Sequence, residues 1–266
     1  MNRRLLITGA GGFLGSRICE YYSNRDGYEA VGVTHRELDI EDFVAVSAFI
    51  KAIRPDYVLH CAAISNTGTC ERNPVLSEKV NVRGTINLAK ACRNAGSRMI
   101  FTSSDQIYNT SHSLEPNREG SEGKPGNVYG RDKKRAEEAM LTYLPDAVAL
   151  RLTWMYDAPS RGRAAGQGLL QKLADALKDR REVEFPVHDY RGITYVWEVV
   201  RHLEEAMGLP GGVYNFGSEN RYNTFDTARL FLRELAGSDS GGILKRNDER
   251  FASCPRNLTM DTDKIK

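Results

Sequence analysis

Short apolar runs recur along the first 153 residues, and polar stretches with helical patterns separate them. The runs lie at 4–9, 29–33, 56–63, 98–104 and 147–153. Between the second and third runs, apolar residues recur at spacings of three and four, namely Phe43, Val46, Ile50 and Ile53. Such residues share one helical face, and Pro55 ends the pattern. Near-continuous apolar strands that alternate with amphipathic helices predict an α/β fold, a parallel sheet covered by helices on both faces.

The alternation becomes irregular after about residue 153. A helical pattern there carries four leucines on one side, Leu169, Leu170, Leu173 and Leu177, and short apolar segments follow it. We therefore predict a larger domain over 1–153 and a smaller C-terminal lobe over 154–266. A segment near 193–208 is expected to pack back on the sheet of the larger domain.

Composition and charge narrow the classes of function. The 266 residues are 41% hydrophobic, which suits a globular protein with a sizeable core. The net charge is +2 and the basic residues are scattered, so no extended surface for nucleic acid or membrane lipid is predicted. No apolar segment approaches the length of a membrane span. A soluble, cytoplasmic enzyme fits these features best.

The five cysteines are odd in number and form no CxxC pair. Neither a disulfide framework nor a zinc site is therefore indicated, and we expect reduced thiols and no bound metal.

Three glycines, Gly9, Gly12 and Gly15, lie where the first strand ends and a helix begins. Glycines at such a turn allow a tight bend and the close approach of a pyrophosphate to the open N–H groups of the helix. An ordinary strand-to-helix turn is the simpler interpretation. The strand, helix and second strand that follow in order favour a Rossmann-type dinucleotide-binding domain over 1–153.

The end of the second strand bears on which dinucleotide binds. In NAD-binding domains an acidic residue there accepts a hydrogen bond from the ribose 2′-hydroxyl. Here Thr34, His35 and Arg36 occupy that place, and a guanidinium suits a 2′-phosphate. NADP(H) is therefore the favoured cofactor. The alternative is a solvated Arg36 with Glu37 in the acidic role, which would suit NAD(H).

A candidate catalytic set follows from two further segments. Tyr129 and Lys133 are four residues apart in a helical pattern, so both project from one face, and a nearby ammonium favours ionisation of the phenol. Ser103 and Ser104 end the fourth strand, at the edge of a parallel sheet where ligands bind. The simpler interpretations are an exposed aromatic beside a solvated lysine and a pair of turn serines.

The order of glycine turn, strand-end serine and tyrosine with lysine resembles the short-chain dehydrogenase/reductase superfamily. The form TGAGGFLG and the 25 residues between Ser104 and Tyr129 are similar to its extended branch. Segments along nearly the whole chain resemble dTDP-4-dehydrorhamnose reductases and their sugar-nucleotide-binding relatives, among them HCAAISNTGTCERNP, FTSSDQIY, RLTWMYD and PRNLTMDTDKI.

This resemblance implies roles for matching positions. The cofactor set joins the positions that the resemblance implies with three residues of the loop after the second strand. It contains Gly9, Gly12, Phe13, Leu14, Gly15, Thr34, His35, Arg36, Asp39, Ile40, Ala62, Ala63, Asn81 and Lys133. The glycine turn would hold the pyrophosphate, Asp39 and Ile40 the adenine, and Lys133 the nicotinamide ribose. The substrate set is Ser65, Ser104, Tyr129 and Trp154, and the catalytic set is Ser104, Tyr129 and Lys133.

The resemblance also implies an activity. Dehydratases of the branch have Asp then Glu after the hydroxyl residue, whereas Gln106 follows Asp105 here, so a dehydratase is disfavoured. We expect an NADPH-dependent reductase of a nucleotide-activated 4-keto sugar, in which Lys133 lowers the pKa of Tyr129. An NAD-retaining nucleotide-sugar epimerase and a dinucleotide-binding regulatory subunit are the alternatives, and a homodimer is left open. Ile193 replaces a usual proline and the loop 109–127 is long, so the preferred sugar is open too.

Overall fold

Twelve strands and ten helices are present in the described residues of this computed structural model, which are 2–113, 115–121, 123–158, 168–237 and 242–266. The strands are β1 (Arg3–Thr8), β2 (Tyr28–Val33), β3 (Tyr57–His60), β4 (Arg98–Ser104), β5 (Val148–Leu152), β6 (Trp154–Tyr156), β7 (Val183–Pro186), β8 (Asp189–Arg191), β9 (Ile193–Tyr195), β10 (Gly212–Phe216), β11 (Leu244–Asn247) and β12 (Arg256–Leu258). The helices are α1 (Phe13–Ser23), α2 (Phe43–Ile53), α3 (Thr67–Arg72), α4 (Pro74–Glu78), α5 (Gly84–Ala95), α6 (Val128–Tyr143), α7 (Leu169–Asp179), α8 (Val196–Arg201), α9 (Leu203–Gly208) and α10 (Thr224–Ala236).

Six parallel strands form the main sheet, in the order β10-β5-β4-β3-β1-β2. Alternate residues of a strand face opposite sides, so Leu5 and Ile7 pack with α1, α8 and α9, whereas Leu6 packs with α2, α5 and α6. Both faces are thus buried, which explains the near-continuous apolar runs of the sequence. The predicted Rossmann-type, doubly wound α/β fold is confirmed.

The predicted helix after the second strand is α2, and local chemistry fixes both of its ends. The side chain of Asp42 accepts hydrogen bonds from the N–H groups of Val44 and Ala45 at the start of the helix. Arg54 ends the helix in the left-handed conformation, directly before Pro55. The bounds therefore match the apolar spacing.

The third strand is shorter than the apolar run 56–63 indicates, because β3 ends at His60. The chain then bends, and Ala62 lies against Gly9 at the turn after β1. The apolar residues beyond His60 thus pack against the glycine turn instead of continuing the sheet.

The C-terminal lobe contains three small parallel pairs, β6 with β9, β7 with β11 and β8 with β12. Its helices α7 and α10 enclose a separate apolar cluster, made of Leu169, Leu173, Phe185, Ala228 and Leu232. Two later pieces of chain belong to the main sheet: β10 pairs with β5 at its edge, and α8 and α9 cover one of its faces. Residues on both sides of position 153 therefore build the main sheet.

Side-chain amides join the loop 109–127 to the end of the chain. Asn117 donates to the carbonyl oxygens of Asn257 and Thr259, and Asn215 donates to those of Asn117 and Asp261. This ladder places the loop beside the carboxyl ends of β4 and β5. Of the helices that the structure describes, none is both long and apolar enough to cross a membrane.

Candidate functional site

The turn after β1 has backbone that only glycine fits. Gly9 has φ +71°, and a Cβ atom added to it would lie 2.7 Å from the nitrogen of Ala62. A Cβ atom on Gly15 would overlap the carbonyl oxygen of Gly9, so the start of α1 packs directly on the turn. Gly12 precedes α1, and no side chain of the described residues caps the helix there. The open N–H groups of the first helical turn are suited to bind phosphate.

The end of β2 faces the same turn. A Cβ atom on Gly11 would lie 3.5 Å from the Thr34 methyl group. The N–H and the hydroxyl of Thr34 both donate to Oε2 of Glu37, at 2.7 and 2.9 Å. His35 and Arg36 between them are exposed, and within the described ranges Arg36 makes no hydrogen bond or ion pair. The loop therefore offers Arg36 for the NADP(H) interpretation and Glu37 for the NAD(H) interpretation.

The remaining predicted adenine and pyrophosphate residues line the two sides of this turn. Phe13 is half-buried, and the guanidinium of Arg17 lies 4.0 Å from the centroid of its ring. Leu14 is part of the core. The Asp39 side chain accepts from the N–H of Glu41, and Ile40 is buried against Gly84. Of this group only Asp39 is exposed, so it alone could offer its whole side chain to an adenine.

The segment after β3 is held from behind by Asn81. The Asn81 amide bonds both the N–H and the carbonyl of Ile64, at 2.9 and 3.1 Å, and it also donates to Ser77. This fixes the loop that carries Ala62, Ala63 and Ser65. Asn81 is itself buried, so its side chain positions this loop from within the protein.

Lys133 projects from α6 toward the end of β4. Its ammonium donates to the carbonyl oxygen of Thr102 at 2.7 Å and lies 4.4 Å from the ring centroid of Phe101. Burial lowers the pKa of Lys133 to about 8. The side chain therefore keeps a positive charge near neutral pH in an interior position.

Tyr129 lies one helical turn before Lys133, and its phenol lies close enough to Ser104 and Asp105 for both residues to influence its pKa. Ser104 also donates to Oδ1 of Asp105 and accepts from the N–H of Gln106, both at 3.2 Å. The two hydroxyls predicted to be catalytic thus meet at the carboxyl end of β4, where ligands bind in this class of sheet.

One expectation about this pair is wrong. Burial and, after it, the charge of Asp105 raise the pKa of Tyr129, and the proximity of Ser104 only partly offsets this rise. Lys133 does not lower it, because its ammonium bonds to Thr102 and lies 5.7 Å from the Tyr129 ring centroid. Tyr129 therefore keeps its proton at neutral pH, as a proton donor requires.

Asp105 is a further site residue that the sequence analysis did not select. Its carboxyl is buried, and Oδ2 is one of the buried polar atoms that have no hydrogen-bond partner among the described residues. Burial raises the pKa of Asp105, while the charges of Arg191 and Arg256 oppose this rise. Its place directly after the strand-end serine was the signal that could have identified it.

Two cations of the C-terminal lobe lie near the ring of Trp154. Arg191 lies 4.5 Å and Lys172 lies 5.8 Å from its ring. Asp189 pairs with Arg256 at 2.8 Å and lies 3.6 Å from Arg191, whose Nε has no hydrogen-bond partner among the described residues. Partial desolvation of its ammonium, together with the charges of Arg191 and a fourth cation, Arg250, lowers the pKa of Lys172, although the residue as a whole is exposed. Positive charge exceeds negative charge in this cluster, which we call the Trp154 cation cluster (Lys172, Arg191, Arg250 and Arg256).

A buried ion pair joins β5 to α6 near the end of β4. Arg151 on β5 binds Glu137 on α6 at 2.7 Å, and both side chains are less than a tenth exposed. Ser103 donates to the same carboxylate, and Arg151 also donates to the hydroxyl of Tyr108 at 2.6 Å. The pair thus supports the strand end that carries Ser104.

His60 forms a second internal link that the sequence analysis did not identify. Its two ring nitrogens are 2.8 and 3.0 Å from the hydroxyls of Thr8 and Thr85. Burial, with Lys133 adding to it, lowers the pKa of His60 to about 3, so the ring is neutral. His60 therefore connects the glycine turn to α5 as a structural residue.

Comparisons with known proteins agree with this geometry. The family described as RmlD substrate binding domain matches residues 3–266. A dTDP-4-dehydrorhamnose reductase of Mycolicibacterium smegmatis is 31% identical over 249 residues, which are 90% of this chain and 71% of that protein. Methionine adenosyltransferase 2 subunit beta of Xenopus laevis is 27% identical over 278 residues, with coverage of 100% and 82%.

A solved structure gives the same fold. The crystal structure of dTDP-4-dehydrorhamnose reductase from Bacillus anthracis in complex with NADP superposes with a TM-score of 0.87 at 22% identity, covering 100% of this chain and 91% of that chain. The chain therefore belongs to the RmlD substrate binding domain family, within the extended short-chain dehydrogenases/reductases.

Proposed function

We propose that this protein is an NADPH-dependent reductase of a nucleotide-activated 4-keto sugar. The observation that carries the proposal is the position of Ser104 at the carboxyl end of β4, in the same parallel sheet as the glycine turn after β1, with Tyr129 near Ser104. The turn suits a dinucleotide because Gly9 takes a left-handed conformation and Gly15 lets α1 begin directly on the turn, and no side chain of the described residues caps the first N–H groups of α1. A nicotinamide dinucleotide bound there supplies the hydride. Arg36, which is exposed and unpaired within the described ranges, favours NADP(H).

The hydroxyls of Tyr129 and Ser104 have different roles at the carbonyl oxygen of the substrate. Tyr129 holds its proton at neutral pH, since burial and Asp105 raise its pKa, and it donates this proton to the oxygen. Ser104 donates a hydrogen bond to the same oxygen as negative charge develops. Lys133, one helical turn further along α6, would hold the ribose of the nicotinamide.

The Trp154 cation cluster supports a nucleotide-activated substrate. Among the described residues, the four cations Lys172, Arg191, Arg250 and Arg256 lie near two acidic side chains, Asp189 and Asp105. Burial alone would raise the pKa of Asp189, but Arg191 and Arg256 lower it. Excess positive charge beside an aromatic ring suits a diphosphate. The cluster and Ser104 are linked through Asp105, so both ends of one substrate can be held.

A regulatory subunit is the second candidate. It is supported by the similarity of the whole chain to methionine adenosyltransferase 2 subunit beta. A dinucleotide-binding subunit would use the glycine turn without turning over a sugar. The Ser104, Tyr129 and Lys133 set favours the reductase.

A substrate panel tests the proposal. Nucleotide-activated 4-keto sugars are mixed with the protein and NADPH, and the loss of reduced nicotinamide absorbance is followed. We expect turnover with at least one sugar, and its absence with the corresponding 4-hydroxy sugar as the matched control. No turnover across the panel, with tight NADPH binding, would reject the reductase in favour of the regulatory subunit. Racemised or epimerised product without net NADPH consumption would indicate an epimerase.

A further inference from the structure

The neighbours of His60 determine which nitrogen of its ring carries the proton. The hydroxyl of Thr85 donates to the carbonyl oxygen of Asn81 at 2.8 Å, and a carbonyl oxygen can only accept. The one proton of this hydroxyl is thus used. Thr85 must therefore accept at its 3.0 Å contact with Nε2 of His60, which places the ring proton on Nε2.

The other ring nitrogen, Nδ1, is then an acceptor. The ring is neutral and holds a single proton, because burial and the charge of Lys133 lower the pKa of His60 to about 3. The Thr8 hydroxyl donates to Nδ1 at 2.8 Å, and its oxygen accepts from the N–H of Ala62 over a longer 3.4 Å. With the ring proton on Nδ1 instead, the Thr8 hydroxyl would find no other acceptor among the described residues.

This chain of hydrogen bonds begins and ends on the loop after β3. It runs in one direction, from the N–H of Ala62 through Thr8, His60 and Thr85 to the carbonyl oxygen of Asn81. The Asn81 side chain in turn bonds both the N–H and the carbonyl of residue 64, two positions after Ala62. One network therefore holds this loop at two points.

The loop is held directly against the glycine turn. Thr8 precedes Gly9, and a Cβ atom added to Gly9 would lie 2.7 Å from the nitrogen of Ala62. A shift of Ala62 would therefore change the shape of the turn on which the phosphates of a dinucleotide lie in this class of fold. The His60 ring is fully buried and stacks on Phe101, with centroids 5.4 Å apart, so packing restricts its rotation.

We propose that His60 is a positioning residue for the dinucleotide: with its proton on Nε2, it orients the Thr8 hydroxyl so that Thr8 holds Ala62 against the glycine turn. His60 is buried and acts on the cofactor through Thr8, not by touching it. The proposal rests on the dinucleotide site of the proposed function. It adds the residue that sets the side of this site formed by the loop after β3.

A measurement of the tautomer tests the first step and needs no ligand. Long-range proton–nitrogen NMR spectra of protein with isotope-labelled histidine distinguish a protonated ring nitrogen from an unprotonated one. Nuclear Overhauser contacts with Thr8 and Phe101 assign the His60 signal. We expect a proton on Nε2 and none on Nδ1 near neutral pH, both in the wild type and in Thr8→Val. A proton on Nδ1 in the wild type would overturn the proposal.

Fluorescence titration of NADPH and NADH, without a sugar substrate, tests the second step. Thr8→Val keeps the side-chain shape and removes the hydroxyl, so both dinucleotides should bind roughly three- to tenfold more weakly, with an unchanged ratio. Thr8→Ser retains a hydroxyl and should restore the affinity. Ser97→Ala is the matched control, since it removes a buried hydroxyl that donates to Pro55 at the opposite end of β4. It should lower stability and leave both affinities unchanged.

A double-substitution cycle tests whether His60 acts through Thr8. His60→Phe keeps an aromatic ring against Phe101 and removes both nitrogens. It should weaken NADPH in the wild-type background and have little further effect in Thr8→Val. Equal losses in both backgrounds, or unchanged NADPH binding in Thr8→Val, would overturn the role of His60.

Two further outcomes are separable from these. If His60→Phe does not fold, the tautomer and the Thr8 variants still decide the proposal, because they keep the His60 ring in place. Failure of the wild-type protein to bind either dinucleotide would overturn the proposed function and, with it, the positioning role. The position of the ring proton does not depend on that result.

Discussion

The ammonium of Lys133 donates a 2.7 Å hydrogen bond to the carbonyl oxygen of Thr102, one residue before the serine pair at the end of β4. This contact joins α6 to the strand that carries Ser104. Lys133 is almost fully buried. Burial opposes its positive charge and lowers the pKa of the ammonium to about 8. Stability should therefore depend on pH through this residue.

The first prediction compares the wild-type protein with Lys133→Met. The folded pKa is about 8 and the ordinary value is 10.5, so between these values the unfolded chain holds a proton that the folded chain has lost. The free energy of unfolding of the wild type should then rise with pH relative to the variant, by at most about 1.4 kcal/mol per pH unit. Urea unfolding of both proteins at several pH values measures it. A difference that is constant with pH would contradict the burial of this charge.

Removal of the Tyr129 hydroxyl should abolish most turnover. Tyr129→Phe keeps the ring and deletes the proton donor, so the rate with an accepted sugar should fall on the order of 10² to 10⁴. Cofactor binding should be retained. Tyr143→Phe makes the same chemical change on the same helix, away from Ser104, and serves as the control for the steady-state assay. Normal turnover by Tyr129→Phe would show that another group delivers the proton.

The Trp154 cation cluster should govern substrate affinity rather than the chemical step. Lys172→Met should weaken a nucleoside diphosphate roughly three- to tenfold at low ionic strength, and less at high salt, because the attraction is between charges. Isothermal titration with the nucleoside diphosphate alone measures this. Lys178→Met on the same helix is the matched control, since Lys178 is exposed in its last turn. If both variants bind alike, the diphosphate lies elsewhere.

The buried pair of Arg151 and Glu137 gives a stability prediction. Glu137→Gln leaves the Arg151 charge buried without its partner, which costs about 3 to 5 kcal/mol in proteins. The double variant Arg151→Met, Glu137→Leu should be less destabilised than this single one, because it buries no unpaired charge. Glu138→Gln, one residue along and exposed, should change the unfolding free energy little. A double variant less stable than the single one would mean that the bonds to Ser103 and Tyr108 dominate.

Local patterns predicted much of the fold and of the site. The apolar spacing of α2, the glycine turn and the four-residue separation of Tyr129 and Lys133 depend on neighbours in sequence, and the structure has all three. The direction of the Lys133 ammonium could not be predicted in this way. It depends on Thr102, a residue of another element, and on burial that only the packed sheet creates.

The same limit applies to the residues around Asp105. Arg191 and Arg256 lie in the C-terminal lobe, where the sequence shows no regular alternation of strands and helices. Their charges act on Asp105 only in the folded protein. The sequence also did not decide between Arg36 and Glu37 in the loop after β2, because a guanidinium and a carboxylate can each recognise a dinucleotide there. The contact of Glu37 with Thr34 is visible only in the structure.

The edge strand β10 has a consequence for how the chain matures on the ribosome. β5 ends at Leu152 and its partner begins at Gly212, so about 60 residues must be added before the sheet can be completed, which takes roughly 3 to 12 s at ordinary rates of synthesis. During that interval α8 and α9 are also missing from the sheet face formed by Leu5 and Ile7. A nascent chain halted in this window presents an uncovered apolar face and an open strand edge, the features that chaperones bind.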